Sequence, residues 1–454
     1  MMKKILALLF LVTSFVHAQF TIKGTMTPPQ ESDWVILYKI EGAKQIFVQN
    51  TNIKIDSVTF EGKKQAVGNF NFTLPKNSES GFYRAAYKLE GAGFVDFIFN
   101  KENVSFVFNP QHPESVVFSE SKENILYKKC IEGISKAQQE LDSIQITALK
   151  NPSLNLKTPY IKAFNNVYTT QKHFLNLSKN SYSHPFIKAS LKRNPSAIIT
   201  SSERYMSNRV STFFDNIDFS NKKLLNSSFL VDKITEYIFY LNYSEDKETQ
   251  YKLHKKAIET VFSKLTNLSF KKDLIEFLIT QFEASKNLEI IDYLFENHYN
   301  KLPQSLQDNK FKQEKLALLI AEVGRIAPDF SWKENGKTRT LSQLNNAENY
   351  ILIFWSTSCS HCLREIPELY AFMKGNTKTK VIAFALEKEA FVWENYKINL
   401  LGWHNVLGLG KWENKIARTY QIFSTPSYFI LDTNKKIIAK PEELKDVKQF
   451  FSKK

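Results

Sequence analysis

The spacing of apolar residues changes twice along this chain. From residue 20 to about 110 it alternates, as at Phe70, Phe72, Leu74 and again at Val104, Phe106, Phe108, with turn residues between the runs (Thr27, Pro28, Pro29; Glu90, Gly91, Ala92, Gly93). Alternation sends every second side chain to one face of a sheet, so an antiparallel β-sandwich is predicted over residues 19–114. From 115 to 323 the steps become three and four, as in Ile258, Val261, Phe262, Leu265 and then Ile275, Leu278, Phe282. That spacing is one face of successive helices, and polar breaks at 242–246 and 285–287 separate them, which predicts an all-α domain. No repeat of fixed length is visible. From 324 to 454 strand and helix patterns alternate: a buried strand at 350–355, a helix at 359–373, a strand at 380–386, a helix around 389–397 and a short run at 403–407. A helix at 412–420, strands at 427–431 and 436–439 and a last helix from 442 follow. This order implies a mixed sheet flanked by helices. The fold class predicted is thus multidomain α+β, with an α/β domain at the C-terminal end.

Composition adds bounds. Residues 1–18 open with Lys3 and Lys4, continue with an apolar stretch over 5–15 and end in Val16, His17, Ala18, the pattern of a secretory signal peptide. Its apolar core is short of the roughly 20 residues that cross a bilayer. The mature chain is expected to begin near Gln19 and to be soluble, and with no cysteine after the cut a lipid anchor is not expected. With 454 residues the chain exceeds one ordinary core, and 37 Phe and 19 Tyr supply apolar surface for several. The net charge of +15 is spread as pairs such as Lys222, Lys223 and Lys271, Lys272. No basic stripe forms, so a nucleic-acid partner is not expected. Three cysteines are too few to staple an exported chain of this size. One of them, Cys130, stands alone in a helical stretch and is expected as a buried small hydrophobe.

The other two carry the chemistry. Cys359, Ser360, His361 and Cys362 form a Cys-x-x-Cys set just after the apolar run 350–355. Two thiols so spaced at a helix start can open and close one disulfide, and the helix N-terminus stabilises the thiolate of the first. Cys359 is therefore expected to attack and Cys362 to resolve. A structural bridge is the plainer alternative, but a four-residue loop yields only about 2 kcal/mol of entropic stabilisation. A metal site is another, and needs ligands that only His361 and His404 offer. His361 lies between the thiols, either as an imidazolium favouring the Cys359 thiolate or as a solvated side chain.

Further residues carry a resemblance. Ala327, Pro328, Asp329, Phe330, then Phe354, Trp355 leading to the cysteines, Glu365 after the second cysteine, and Thr425, Pro426 entering a strand that ends Ile430, Leu431, Asp432 resemble the exported TlpA/ResA-type branch of the thioredoxin superfamily. The whole layout is similar to envelope proteins of Bacteroidota whose N-terminal portion is a domain of unknown function. The resemblance implies a thioredoxin-like fold and a periplasmic thiol-disulfide oxidoreductase. Its partners would be protein thiols and disulfides, with a membrane electron donor feeding it as a reductant and no organic cofactor or metal. It further implies Glu365 as proton relay beside catalytic Cys359 and Cys362, a cis Pro426 that with Thr425 docks the substrate, and Trp355 as the aromatic beside the active site that packs and shields the disulfide, counted with His361 among the substrate-side residues. Two positions depart from the wider superfamily: Ile353 stands where a buried Asp handles the resolving proton, and Ser358 where a Trp commonly precedes the first cysteine. A peroxidase reading would want proline at Leu352, although Ser356 fits its pattern. The rival from another class is an envelope binding protein or copper carrier that uses the dithiol as ligands. Oligomeric state is not specified by the sequence.

Overall fold

The structure, a computed structural model, describes residues 19–452 apart from 31, 61, 89, 90 and 92, so the leader expected over residues 1–18 lies outside the described residues. Nine strands open the described chain: β1 (Gln19–Met26), β2 (Trp34–Glu41), β3 (Lys44–Asn52), β4 (Lys54–Phe60), β5 (Lys63–Pro75), β6 (Gly81–Ala86), β7 (Phe94–Phe99), β8 (Val104–Asn109) and β9 (His112–Glu120). They form two sheets, in the orders β4-β5-β1-β8-β9 and β3-β2-β6-β7. Alternate residues of both, among them Ile22, Leu37, Phe72, Phe97 and Phe106, meet in one apolar cluster.

Two details correct the sequence expectation. β1 pairs antiparallel with β5 but parallel with β8, so the sheet is not purely antiparallel. A parallel pair cannot be closed by a hairpin, and the long excursion between β1 and β8 that builds the second sheet supplies the crossover. The strand-rich part also extends to Glu120, past the expected boundary at 114. β9 is an edge strand whose exposed Glu114, Ser115, Ser119 and Glu120 dilute the alternation on which the boundary rested.

Helices follow: α1 (Lys122–Lys150), α2 (Lys157–Ser178), α3 (His184–Ala189), α4 (Ser202–Thr212), α5 (Lys222–Leu225), α6 (Ser228–Thr235), α7 (Lys247–Phe262), α8 (Leu268–Ala284), α9 (Leu288–Asn297) and α10 (Asn309–Leu319). The predicted stripes are core: Ile258, Val261, Ile275 and Leu278 are fully buried. Ala137 and Leu141 of α1 pack on Tyr160, Ala163 and Val167 of α2. Cys130 is buried and free among Ile134, Phe174 and Ile187, and burial pushes its thiol up to about 11. The first turn of α1 is tied to the strands by Asn124, whose amide accepts from the Ile98 N–H at 2.8 Å and donates to the Ile98 carbonyl at 2.6 Å. The chain divides into two compact units, one of residues up to Gln281 with Tyr293–Leu302, the other of Phe282–Asp292 with Pro303 onward.

The second unit holds β10 (Ser331–Glu334), β11 (Lys337–Thr340), β12 (Asn349–Trp355), α11 (Ser360–Met373), β13 (Thr379–Glu387), α12 (Phe391–Tyr396), β14 (His404–Leu409), α13 (Lys415–Thr419), β15 (Ser427–Leu431), β16 (Ile437–Ala439) and α14 (Leu444–Ser452). β10 and β11 form a hairpin that periodicity did not reveal, because its strands are four polar-rich residues each. Its signal was the dipeptide Asn335-Gly336, both at positive φ (50° and 76°), as the tight hairpin turn requires. Elsewhere the expected elements recur, except that the helix expected over 412–420 is broken at Asn414, whose side chain caps α13.

The sheet order is β14-β13-β12-β15-β16. β12 is central, parallel to β13 and antiparallel to β15, and all seven of its residues are buried. Tyr350, Leu352 and Phe354 enter one core cluster while Ile351, Ile353 and Trp355 enter the other. Both faces of the sheet are therefore covered, which explains a continuous apolar run instead of alternation. On α11, Cys362, Ile366, Leu369 and Met373 face the second cluster at helical spacing.

Replacing Asn124 by Ala leaves the Ile98 N–H and carbonyl buried without partners, which should cost about 2–4 kcal/mol. Urea unfolding of the N-terminal unit, followed by a probe in that unit, checks this, and a loss below about 0.5 kcal/mol would remove Asn124 as the tie between strands and helices.

Candidate functional site

At the end of β12 the chain leaves the core through Ser356, Thr357 and Ser358 and enters α11 at Cys359. Cys359 is the residue that caps the helix. Its backbone is extended (φ −101°, ψ 113°), and its sulfur accepts the Cys362 N–H at 3.2 Å. Its own N–H donates to the Ser356 carbonyl at 3.2 Å, which closes the turn. The thiol in turn donates to the Thr425 carbonyl at 3.3 Å. No disulfide joins the two cysteines in this state.

The two sulfurs differ sharply in surroundings. Cys359 is partly exposed and Cys362 is fully buried one turn inside. Burial pushes the Cys359 thiol up, but hydrogen bonds outweigh it: from the Cys362 thiol, with Thr425, and from the Cys362 and His361 N–H groups. The net effect holds Cys359 below an ordinary thiol. Burial pushes Cys362 well up, and its thiol donating to Cys359 adds to the rise. One sulfur is thus readied to ionise while its neighbour keeps its proton.

Thr425 and Pro426 lie opposite the cysteines at the start of β15, and the bond between them is cis. Two residues on, buried Tyr428 donates to Glu365 of α11 at 2.7 Å. Burial pushes the Tyr428 hydroxyl up, and the hydrogen bond to Glu365 and the two sulfurs raise it further, so it stays a donor. Tyr428 was missed in the sequence, since a tyrosine in a β-strand reads as ordinary core.

Trp355 and His361, both expected on the substrate side, differ in exposure: the first lies inside and the second outside. Trp355 is fully buried and packs on Tyr396 with ring centroids 5.2 Å apart, so it walls the core beside Cys362 and shields the cysteine pair from within. As the last residue of a strand buried on both faces, it has no route to the surface. His361 is exposed, and Arg364 donates to its Nδ1 at 2.9 Å. The His361 backbone N–H is one of the groups that hold the Cys359 thiol down.

A buried carboxylate braces the turn from behind. Glu387, the last residue of β13, is 5% exposed. It accepts from the Thr357 N–H at 2.5 Å and from the Ser356 hydroxyl at 3.3 Å. Ser356 also accepts the Ser358 N–H at 3.3 Å, and Lys411 donates to the Ser358 hydroxyl at 2.7 Å. Neither Glu387 nor Lys411 is near the cysteines in sequence. Leu352, where a peroxidatic pattern wants proline, sits mid-strand in β12 with partners on both sides. A proline there would cost ladder hydrogen bonds. Among the described residues no group of three or more His, Cys, Asp or Glu is placed to hold a metal ion, and no helix is long and apolar enough to cross a membrane.

Residues 323–440 match the model of the AhpC/TSA family. The matched span contains the central sheet, the Cys-x-x-Cys helix start and the cis proline opposite it. The C-terminal domain is a thioredoxin-superfamily oxidoreductase. Solved structures similar to this thioredoxin-like domain include a domain of a possible thiol-disulfide isomerase from Cytophaga hutchinsonii, 31% identical over 29% of this chain and 92% of that one, with a TM-score of 0.26. Another is the thioredoxin domain of a thiol-disulfide oxidoreductase from Bacteroides vulgatus, 21% identical over 29% of this chain and 96% of that one, with a TM-score of 0.27. No curated protein matches the chain.

Glu387→Ala should leave the Thr357 N–H and Ser356 hydroxyl without their acceptor and loosen the turn that seats Cys359 at the helix start. Alkylation of Cys359 at fixed pH should slow about tenfold, corresponding to about 1.4 kcal/mol of lost thiolate stabilisation. Glu387→Gln keeps an acceptor and should recover most of the rate. Equal rates in all three proteins would reduce Glu387 to a packing residue.

Proposed function

We propose that the thioredoxin-like domain exchanges its Cys359/Cys362 dithiol for disulfides of protein substrates, working as a reductant in the periplasm. The observation that carries this reading is the asymmetry of the two sulfurs: Cys359 is partly exposed with its thiol held down, and Cys362 is buried with its thiol held up. The Cys359 thiolate attacks one sulfur of a substrate disulfide, a mixed disulfide forms, and the other substrate sulfur leaves as a thiolate and takes up a proton. Cys362 then loses its proton and attacks the Cys359 sulfur. The second substrate thiolate departs, the substrate has gained two electrons and two protons, and the domain carries the disulfide.

The second attack needs a base, because Cys362 holds its proton tightly. Ile353 supplies none. Glu365 takes that role, with Tyr428 holding its carboxylate at 2.7 Å and so fixing its direction. Thr425 and Pro426 present the backbone that the substrate segment lies along, beside the sulfur that the Thr425 carbonyl already touches. The oxidised domain is returned to the dithiol by a membrane electron donor. The signal-peptide pattern over residues 1–18 supports the periplasmic setting, and the TlpA/ResA resemblance supports the reducing direction.

Reduction of insulin by the full chain with a small dithiol as electron source tests this. Cys359→Ser should lose activity by more than about 100-fold, and Cys362→Ser should accumulate covalent complexes with substrate proteins. Glu365→Gln should slow release from the mixed disulfide by about tenfold or more while leaving the first attack unchanged. An equilibrium potential near the oxidising end of the known range, about −120 mV, would reverse the proposed direction. Full activity of Cys359→Ser would overturn the assignment of the nucleophile.

A further inference from the structure

The sheet order places three connections at one edge around the nucleophile. β12, β13 and β14 run parallel, so their C-terminal ends share that edge, and antiparallel β15 begins there. In the order β14-β13-β12-β15, the turn after β14 and the loop before β15 therefore approach Cys359 from opposite sides.

The β14 side is basic. Gly410 and Lys411 both take positive φ (89° and 47°), which turns the chain so that the Lys411 ammonium donates to Ser358, the residue just before Cys359. That contact uses one of three N–H donors. No carboxylate pairs with Lys411 among the described residues, while Trp412 next to it is 45% exposed. The β15 side is apolar. Phe423 stands two residues before Thr425, whose carbonyl touches the Cys359 sulfur, and is 86% exposed. A lone exposed aromatic is ordinary on a protein surface, but this one stands two residues from the carbonyl that touches the sulfur, where an incoming segment would pass, and a cation across from it gives that surface a polarity.

We propose that this rim selects its substrates: a protein segment whose disulfide-bonded cysteine carries an acidic residue on the side facing Lys411 and an apolar residue on the side facing Phe423. The selection rests on the exchange reaction proposed above and specifies its substrate class. The acidic side chain pairs with the two free donors of Lys411, while the apolar one covers Phe423. Ser358 leaves room there that a bulkier residue before Cys359 would fill.

The test uses the full chain with four model peptides. Each is a disulfide between two copies of one sequence, with Phe on one side of the cysteine and Glu or Lys on the other, made in both orders. In the preferred order, the Glu peptide should be reduced about fivefold faster than the Lys peptide at low salt, and the preference should shrink at high salt. Lys411→Glu should invert the ratio and Lys411→Gln should bring it near one, a readout that does not depend on absolute rate. Phe423→Ser should lower the rate on the Phe peptides in the same order. Equal rates for Glu and Lys peptides in both orders would overturn the selectivity while leaving the exchange reaction standing. Reduction of none of the four, with Cys359 confirmed free, would instead overturn the exchange reaction.

Discussion

The interaction on which the proposed chemistry depends is between one sulfur and the unpaired N–H groups at the start of α11. A helix leaves its first N–H groups without intrahelical partners, and an anion placed there gains both hydrogen bonds and the dipole. Cys359 is the residue at that point, and the Cys362 N–H reaches it at 3.2 Å. Everything beneath exists to hold this geometry. β12 is buried along its whole length, so its end cannot drift. Glu387 holds Ser356 and Thr357, two of the three residues between strand and helix, from behind.

The same helix that stabilises one thiolate buries the other thiol, and burial acts in the opposite direction. This asymmetry is a division of labour. A dithiol in which both groups ionised would repel itself, and one in which neither did would react slowly. The cost of the arrangement is that Cys362 must be relieved of its proton at the right moment. Ile353, facing the core beneath the cysteines, cannot do so, and in the proposed reaction Glu365, held by Tyr428, is the carboxylate that does.

The cysteines, the strand before them and the helix after them were legible because each is encoded locally: a run of six apolar residues, then two thiols at helical spacing, then Ile366, Leu369 and Met373 on one face. Thr425 and Pro426 were legible only through resemblance, since nothing local says that a proline so distant in sequence will face residue 359. What escaped were residues whose role comes from distant partners. Glu387, Lys411 and Tyr428 look like a strand-end acid, a surface lysine and a core aromatic until the sheet order brings their strands to one edge. The parallel pairing of β1 with β8 escaped for the same reason, because alternation fixes which face a side chain takes but not which strand lies alongside. Trp355 was expected to pack beside the disulfide on the substrate side, and the burial of β12 on both faces keeps the packing but puts it inside.

The central claim is that the two sulfurs of one motif are pulled apart in acidity by a helix start and a core. A titration of the reduced full chain carrying 13Cβ-labelled cysteine, followed by NMR, reads each thiol separately. The account predicts that Cys359 ionises below the ordinary thiol value near 8.5 while Cys362 and Cys130 keep their protons well above it. Cys359 ionising at or above that value, or together with Cys362 in a single step, would contradict it.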